Sequence, residues 1–177
     1  MKMKKVSVLL CFVGWCLWSC DPIQSYSEIP EIHFESLSFK NIATNGEIDE
    51  RAVLIFSFID GDGNIGVSPS DIDAISKIHY IWHKKISYNT YEPFQFATGT
   101  IADSTVIPFN SVMNKEEAQN KTLKGTIQIA LFPPSKPQGV DTMRIEFYIF
   151  DRARHKSNVD YTPDFSIQNP PEELLSK

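Results

Sequence analysis

Thr142-Met143-Arg144-Ile145-Glu146-Phe147-Tyr148-Ile149-Phe150 sets Ile145, Phe147 and Ile149 against Arg144, Glu146 and Tyr148 with a period of two. A strand sends such alternating residues to one face, whereas a helix scatters them around its surface. The same alternation recurs at Ile127, Ile129 and Leu131, set between Thr126, Gln128 and Ala130. Ala52 to Ile59 is apolar on both faces, as a central strand is. Ile32 and Phe34 share one parity and Leu37 and Phe39 the other, so a bulge or a change of sheet is expected near Glu35-Ser36. Further strands are expected near Lys77–Ser87, Tyr91–Thr98, Thr105–Phe109 and Val159–Ile167.

About seven or eight short strands predict an all-β domain, a single β-sandwich of the Ig-like, Greek-key kind. Helical signal is sparse. Asn114 with Glu117 has the spacing of a capped helical turn, and Ser70 to Ser76 is a second short candidate. The chain has 177 residues, 42% hydrophobic and 22% charged, which suits one packed domain and excludes a disordered chain or a coiled coil. A net charge of −5 offers no basic footprint for nucleic acid.

The chain opens on Met1-Lys2-Met3-Lys4-Lys5, followed by an uncharged run from Val6 to Trp18. That run is shorter than the ~20 residues of a membrane-spanning helix and fits the core of a signal peptide. It ends at Leu17-Trp18-Ser19-Cys20, which resembles a bacterial lipobox with Cys20 as the acylated residue. Residues 1–19 are thus expected to be removed and residues 20–30 to form a lipidated tether. Residues 31–168 would be the sandwich, and 169–177, with Pro170-Pro171, a flexible tail. Lys2, Lys4 and Lys5 leave with the leader, so 14 basic residues face 22 acidic ones in the mature chain. Cys11 and Cys16 leave too, and Cys20 carries lipid, which excludes disulfides, a cysteine nucleophile and a cysteine-ligated zinc.

Asp60-Gly61-Asp62-Gly63-Asn64-Ile65-Gly66 follows an expected strand directly. Oxygen donors at alternate positions of a glycine-rich loop can converge on a hard cation. Asp60, Asp62, Asn64 and Asp71 occupy the first, third, fifth and twelfth positions of an EF-hand loop. Ile65 stands where that loop needs glycine, and the flank is a strand, so an EF-hand is excluded. Two readings stay open: a looser calcium site, or a tight turn with solvated carboxylates. In an Ig-like sandwich the loop after Phe150 would neighbour this one. Asp151 and Asn158 could then complete the cation site, or Arg152 or Arg154 could pair with Asp60 or Asp62.

His79 and His83 read as strand residues sharing a face with Ile81, and Trp82 reads as core. Tyr88, Tyr91, Phe94 and Phe96 could present an aromatic face to a sugar or a protein, or simply pack. No nucleophile elbow, phosphate loop or dinucleotide fingerprint is present.

The lipobox, Tyr26-Ser27-Glu28-Ile29-Pro30, Phe56–Gly66 and the run from Tyr148 to Asn158 together resemble the uncharacterised lipoproteins of Bacteroidetes. The resemblance implies an outer-membrane lipoprotein, on the periplasmic or the cell-surface side. It also implies that Asp103-Ser104-Thr105 and Asp141-Thr142-Met143 match that group's O-glycosylation signal.

The expected role is a non-enzymatic, lipid-anchored accessory, scaffold or binding subunit beside an outer-membrane β-barrel complex. The alternative is a calcium-assisted glycan-binding module. A hydrolase ranks below both, since no spacing of carboxylates marks a catalytic pair.

Overall fold

The computed structural model describes residues 25–44, 46–66, 76–108, 111–117 and 121–176. All regular structure among them is β, arranged as two antiparallel sheets with no helix. The first sheet has the order β11-β1-β2-β7-β6, from Leu174–Leu175, Glu31–Thr44, Glu47–Asp60, Leu123–Leu131 and Val112–Glu117. The second runs β10-β8-β3-β4, from Phe165–Ser166, Thr142–Phe150, Lys77–Ser87 and Thr90–Pro93. Two further strands complete it: β5 (Ala102–Val106) pairs with β3, and β9 (Asp160–Tyr161) pairs with β8.

The period-two pattern puts the core between the sheets. From β8, Met143, Ile145, Phe147 and Ile149 point inward; from β3, Ile78, Tyr80 and Trp82 do so. They meet Ala52, Leu54, Phe56 and Phe58 of β2 in one cluster, with the Phe56 and Phe147 rings 5.3 Å apart. Fully burying a side chain of this size contributes about 1.5–3 kcal/mol. His79, Ile81 and His83 take the outer face of β3, and Trp82 is buried with its ring edge-on to Phe165.

β1 slips register between Phe34 and Ser36, where the change of parity called for a bulge. Ile32 and Phe34 before it and Leu37 after it are therefore all buried. The β1–β2 hairpin closes at Gly46, whose φ of 87° suits glycine. An Asn-Gly pair between two apolar runs is the sequence signal for such a turn.

Four sequence expectations are corrected. Asn114–Glu117 is no helical turn: it lies in β6, where the free edge of β7 supplies backbone partners and overrides the local capping pattern. The tail expected over 169–177 is not loose over its described residues, 169–176, because Leu174 and Leu175 pair with Leu37 and Ser36 of β1 and the Ser176 N–H donates to the Glu35 carbonyl at 2.8 Å. The strand expected over 91–98 ends at Pro93, which lacks an N–H, and Gly99 closes a turn onto Phe96. The strand expected over 159–167 splits around Pro163 into β9 and β10. The leader, Cys20, Asp71 and most of the 70–76 segment lie outside the described residues.

Candidate metal centre

The parity that builds the core also builds the site. In β2 the inward positions are 52, 54, 56 and 58, and the next is Asp60. In β8 they are 143, 145, 147 and 149, and the next is Asp151. Two strands of opposite sheets thus each deliver a carboxylate to the core-facing position at the same pole. Both aspartates are 0% exposed. The reading of a tight turn with solvated carboxylates therefore fails for Asp60, while Asp62 is half-buried.

The 60–64 loop folds over Asp60. Its Oδ2 accepts the Asn64 N–H at 2.7 Å, and the Asn64 side-chain amide donates to Asp62 Oδ2 at 2.5 Å. Gly63 makes the turn at φ 66°, with the Lys121 carbonyl directly against it, so no side chain fits there. After β8, the His155 N–H donates to Asp151 Oδ1 at 2.7 Å, and His155 Nδ1 lies 2.8 Å from Asp151 Oδ2. Arg152 binds the two loops together by donating its Nε–H (2.8 Å) and its backbone N–H (3.3 Å) to the Asn64 carbonyl. Its guanidinium thus serves a carbonyl rather than Asp60 or Asp62.

This leaves acceptors without donors. Oδ1 of Asp60, of Asp62 and of Asn64 are all buried and have no hydrogen-bond partner. One ligand atom each from Asp62, Asp151 and His155 lies within 4.8 Å of the others. Asp60 and Asp62 come within hydrogen-bonding reach of each other. Burial, then the charges of Asp62 and Asp151, raise the Asp60 carboxyl to about 7 against the pull of the Asn64 N–H. The hydrogen bond to Asp151, reinforced by that carboxylate's charge, holds the His155 imidazole above its ordinary value.

The chain's leading segment reaches the same pole. The Gly61 N–H donates to the Ser27 carbonyl at 2.9 Å, and Lys124 binds the Tyr26 hydroxyl, its ammonium 3.9 Å from the ring centroid. The His155 ring also meets the Glu28 backbone.

Other sequence candidates lie elsewhere. Asn158 is committed to β1: its Oδ1 accepts the Ile32 N–H and its Nδ2 donates to the Ile32 carbonyl, so it does not join Asp60. Of the aromatics, Tyr88 is 88% exposed at a turn. Tyr91 is covered by the Arg144 guanidinium at 3.6 Å, and Phe94 and Phe96 pack on each other and against the core. The four form no common platform, and Tyr88 follows the end of β3 opposite the Asp60 pole. His79 stacks on Tyr148, and His83 stands 3.0 Å from Glu146 but out of hydrogen-bond alignment.

His155 escaped the sequence reading as a site residue. Its signal was its place four residues after Asp151, the reach of a carboxylate-capped turn. No family model matches this chain, and neither curated proteins nor solved structures yield a match.

Proposed function

We propose that this chain is a non-enzymatic accessory or binding subunit, anchored by lipid at Cys20 in the outer membrane and serving a β-barrel assembly there. The fold part of the proposal is an Ig-like, Greek-key sandwich. Its support is the strand order, since β1-β2-β7-β6 and β10-β8-β3-β4 follow the A-B-E-D and G-F-C-C′ sequence of that architecture.

One observation carries the functional part: the domain is polar along its length. The leading segment is fastened to the Asp60 pole through Tyr26 and Ser27. Four residues separate Cys20 from Ser25, a span of at most ~18 Å. A lipid on Cys20 would keep this pole beside the bilayer. The opposite pole then faces away, and there Ile48, Ile86, Tyr88 and Phe132 are exposed. Exposed apolar side chains at the far end of a tethered domain suit contact with a protein partner.

The test is a mild-detergent pull-down of the tagged, lipidated protein from its native membrane. A stoichiometric β-barrel partner, lost when Ile86 and Tyr88 are both changed to Ser, is the expected result. Recovery of the chain alone would overturn the accessory role. Release of the Cys20→Ala chain from the membrane fraction tests the anchor separately.

A further inference from the structure

We propose that Asp60, Asp62, Asn64 and Asp151 form a binding site for a hard divalent cation, and that Ca²⁺ is the ion their donors fit. The inference stands apart from the anchoring and partner readings and uses neither.

Clustered acidic residues are common without an ion, so the case rests on Asp60. Its carboxylate is fully buried, one oxygen accepts the Asn64 N–H, and the further group within hydrogen-bonding reach is another carboxylate, Asp62, rather than an N–H or O–H donor. An unpaired buried acceptor is costly, and a buried anion more so. The orphaned oxygen is accompanied by two more, Asp62 Oδ1 and Asn64 Oδ1, on the same alternating positions of one loop. The hydrogen bonds inside the loop use the other oxygens of Asp60 and Asp62, so each side chain keeps one oxygen free. Asp151, also fully buried, adds charge from the opposite sheet. The ionised cluster would hold three carboxylates, and among the described residues the only cationic group in direct contact with one is the His155 ring. Arg152 faces the Asn64 carbonyl, and Lys124 faces Tyr26.

The donor set selects the ion. Three amide or carboxylate oxygens from one loop, with a further carboxylate opposite, are hard ligands of the kind Ca²⁺ gathers in sixes to eights. Zinc prefers nitrogen and sulfur in a tetrahedron, and among the described residues this cluster offers one histidine and no cysteine. Mg²⁺ demands a near-ideal octahedron and keeps several of its waters, so it favours one or two carboxylates over a site with four side-chain oxygen donors. A bound ion would join the loop after β2 to the loop after β8. Through Gly61–Ser27 and His155–Glu28 it would also brace the leading segment.

The experiment uses the full chain, purified in detergent, stripped with chelator and titrated with CaCl₂ by calorimetry. MgCl₂ and ZnCl₂ run in parallel, and the melting temperature is followed throughout. One Ca²⁺ per chain and a rise of several degrees in Tm at saturation are expected. Asp62→Asn, a half-exposed position, should weaken Ca²⁺ at least tenfold while the stripped chain still melts cooperatively. Asp60→Asn should abolish the calcium response and raise the Tm of the stripped protein, because it removes a buried charge. The proposal is overturned if Ca²⁺ up to about 10 mM, above the range of weak extracellular sites, gives neither heat nor a Tm shift. It is equally overturned if zinc binds in preference, or if both variants keep the wild-type calcium response.

Discussion

Replacing Gly61 by Ala should change sign with the length of the chain. The φ of Gly61 is not in the left-handed region, so its backbone can accept a side chain. In an isolated turn Gly→Ala would stabilise by about 0.4–1 kcal/mol, through reduced freedom of the unfolded chain. In the folded protein a Cβ at position 61 would sit closer than 3.0 Å to the backbone carbonyls of Tyr26 and Ser27. Those atoms belong to the leading segment and cannot yield as a side-chain tip could. The segment must lift off, losing the Gly61–Ser27 hydrogen bond, worth about 0.5–1.5 kcal/mol. The Lys124–Tyr26 contact goes with it, worth about 0.5–1 kcal/mol. The net cost is about 1 kcal/mol, or about 2–4 °C in Tm for a domain of this size. In a chain beginning at Ile29 the clash is gone, and the same substitution should be neutral or raise Tm. Calorimetry on the two lengths, each with and without Gly61→Ala, gives four melting temperatures. An equal loss in both lengths would refute the docking of residues 26–28 on this loop.

Burial holds the His83 imidazole below its ordinary value, against Glu146 and with help from Arg144. The folded state then binds fewer protons than the unfolded one, so stability is complete above about pH 6.5 and declines as pH falls below it. His83→Gln should flatten that decline in denaturant titrations between about pH 7.5 and 5, and parallel curves for the two proteins would contradict it. Burial alone would raise the Asp164 carboxyl, but hydrogen bonds from Lys85 and Tyr91 outweigh it and hold the group below its usual value. Asp164→Asn should therefore lower Tm near neutrality and converge with the parent as pH falls through the folded value, below about 3.9. Phe56 and Phe147 join the two sheets. A double-mutant cycle of Phe56→Leu and Phe147→Leu should show coupling of about 0.5–1.5 kcal/mol, beyond the ~0.3–0.5 kcal/mol scatter of independent sites.

The strands with strict alternation were readable residue by residue. β8 begins and ends at the expected Thr142 and Phe150, and the parity break in β1 located its bulge. The meeting of the 60–64 and 151–155 loops was also readable, because the order of strands implied it. What escaped were segments whose structure is made by distant partners. Leu174-Leu175 carries almost no local signal and becomes a strand only because β1 offers it an edge. Val112–Glu117 has the spacing of a helix start, yet β7 recruits it. Asn158 looked like a cation ligand because it is a polar residue in the right loop, but Ile32 claims both ends of its amide. The burial of Asp60 and Asp151 could have been foreseen. Each simply continues the inward parity of its strand, and the inference needed both strands counted together.

The outer edge of β1 has a consequence for how the protein behaves among copies of itself. Before the bulge, Asn158 holds Ile32 and Asp160 accepts the Phe34 N–H at 2.6 Å. After it, Leu174 and Leu175 take over. A long apolar strand with free N–H and C=O groups invites pairing with another chain. Here two side chains and a short strand occupy the stretch from Ile32 to Leu37 in turn. Removing Leu174 and Leu175 would reopen the part of it at Ser36 and Leu37. Copies brought together would then find an edge to extend, so the Leu174–Leu175 strand guards this stretch of β1 against self-association.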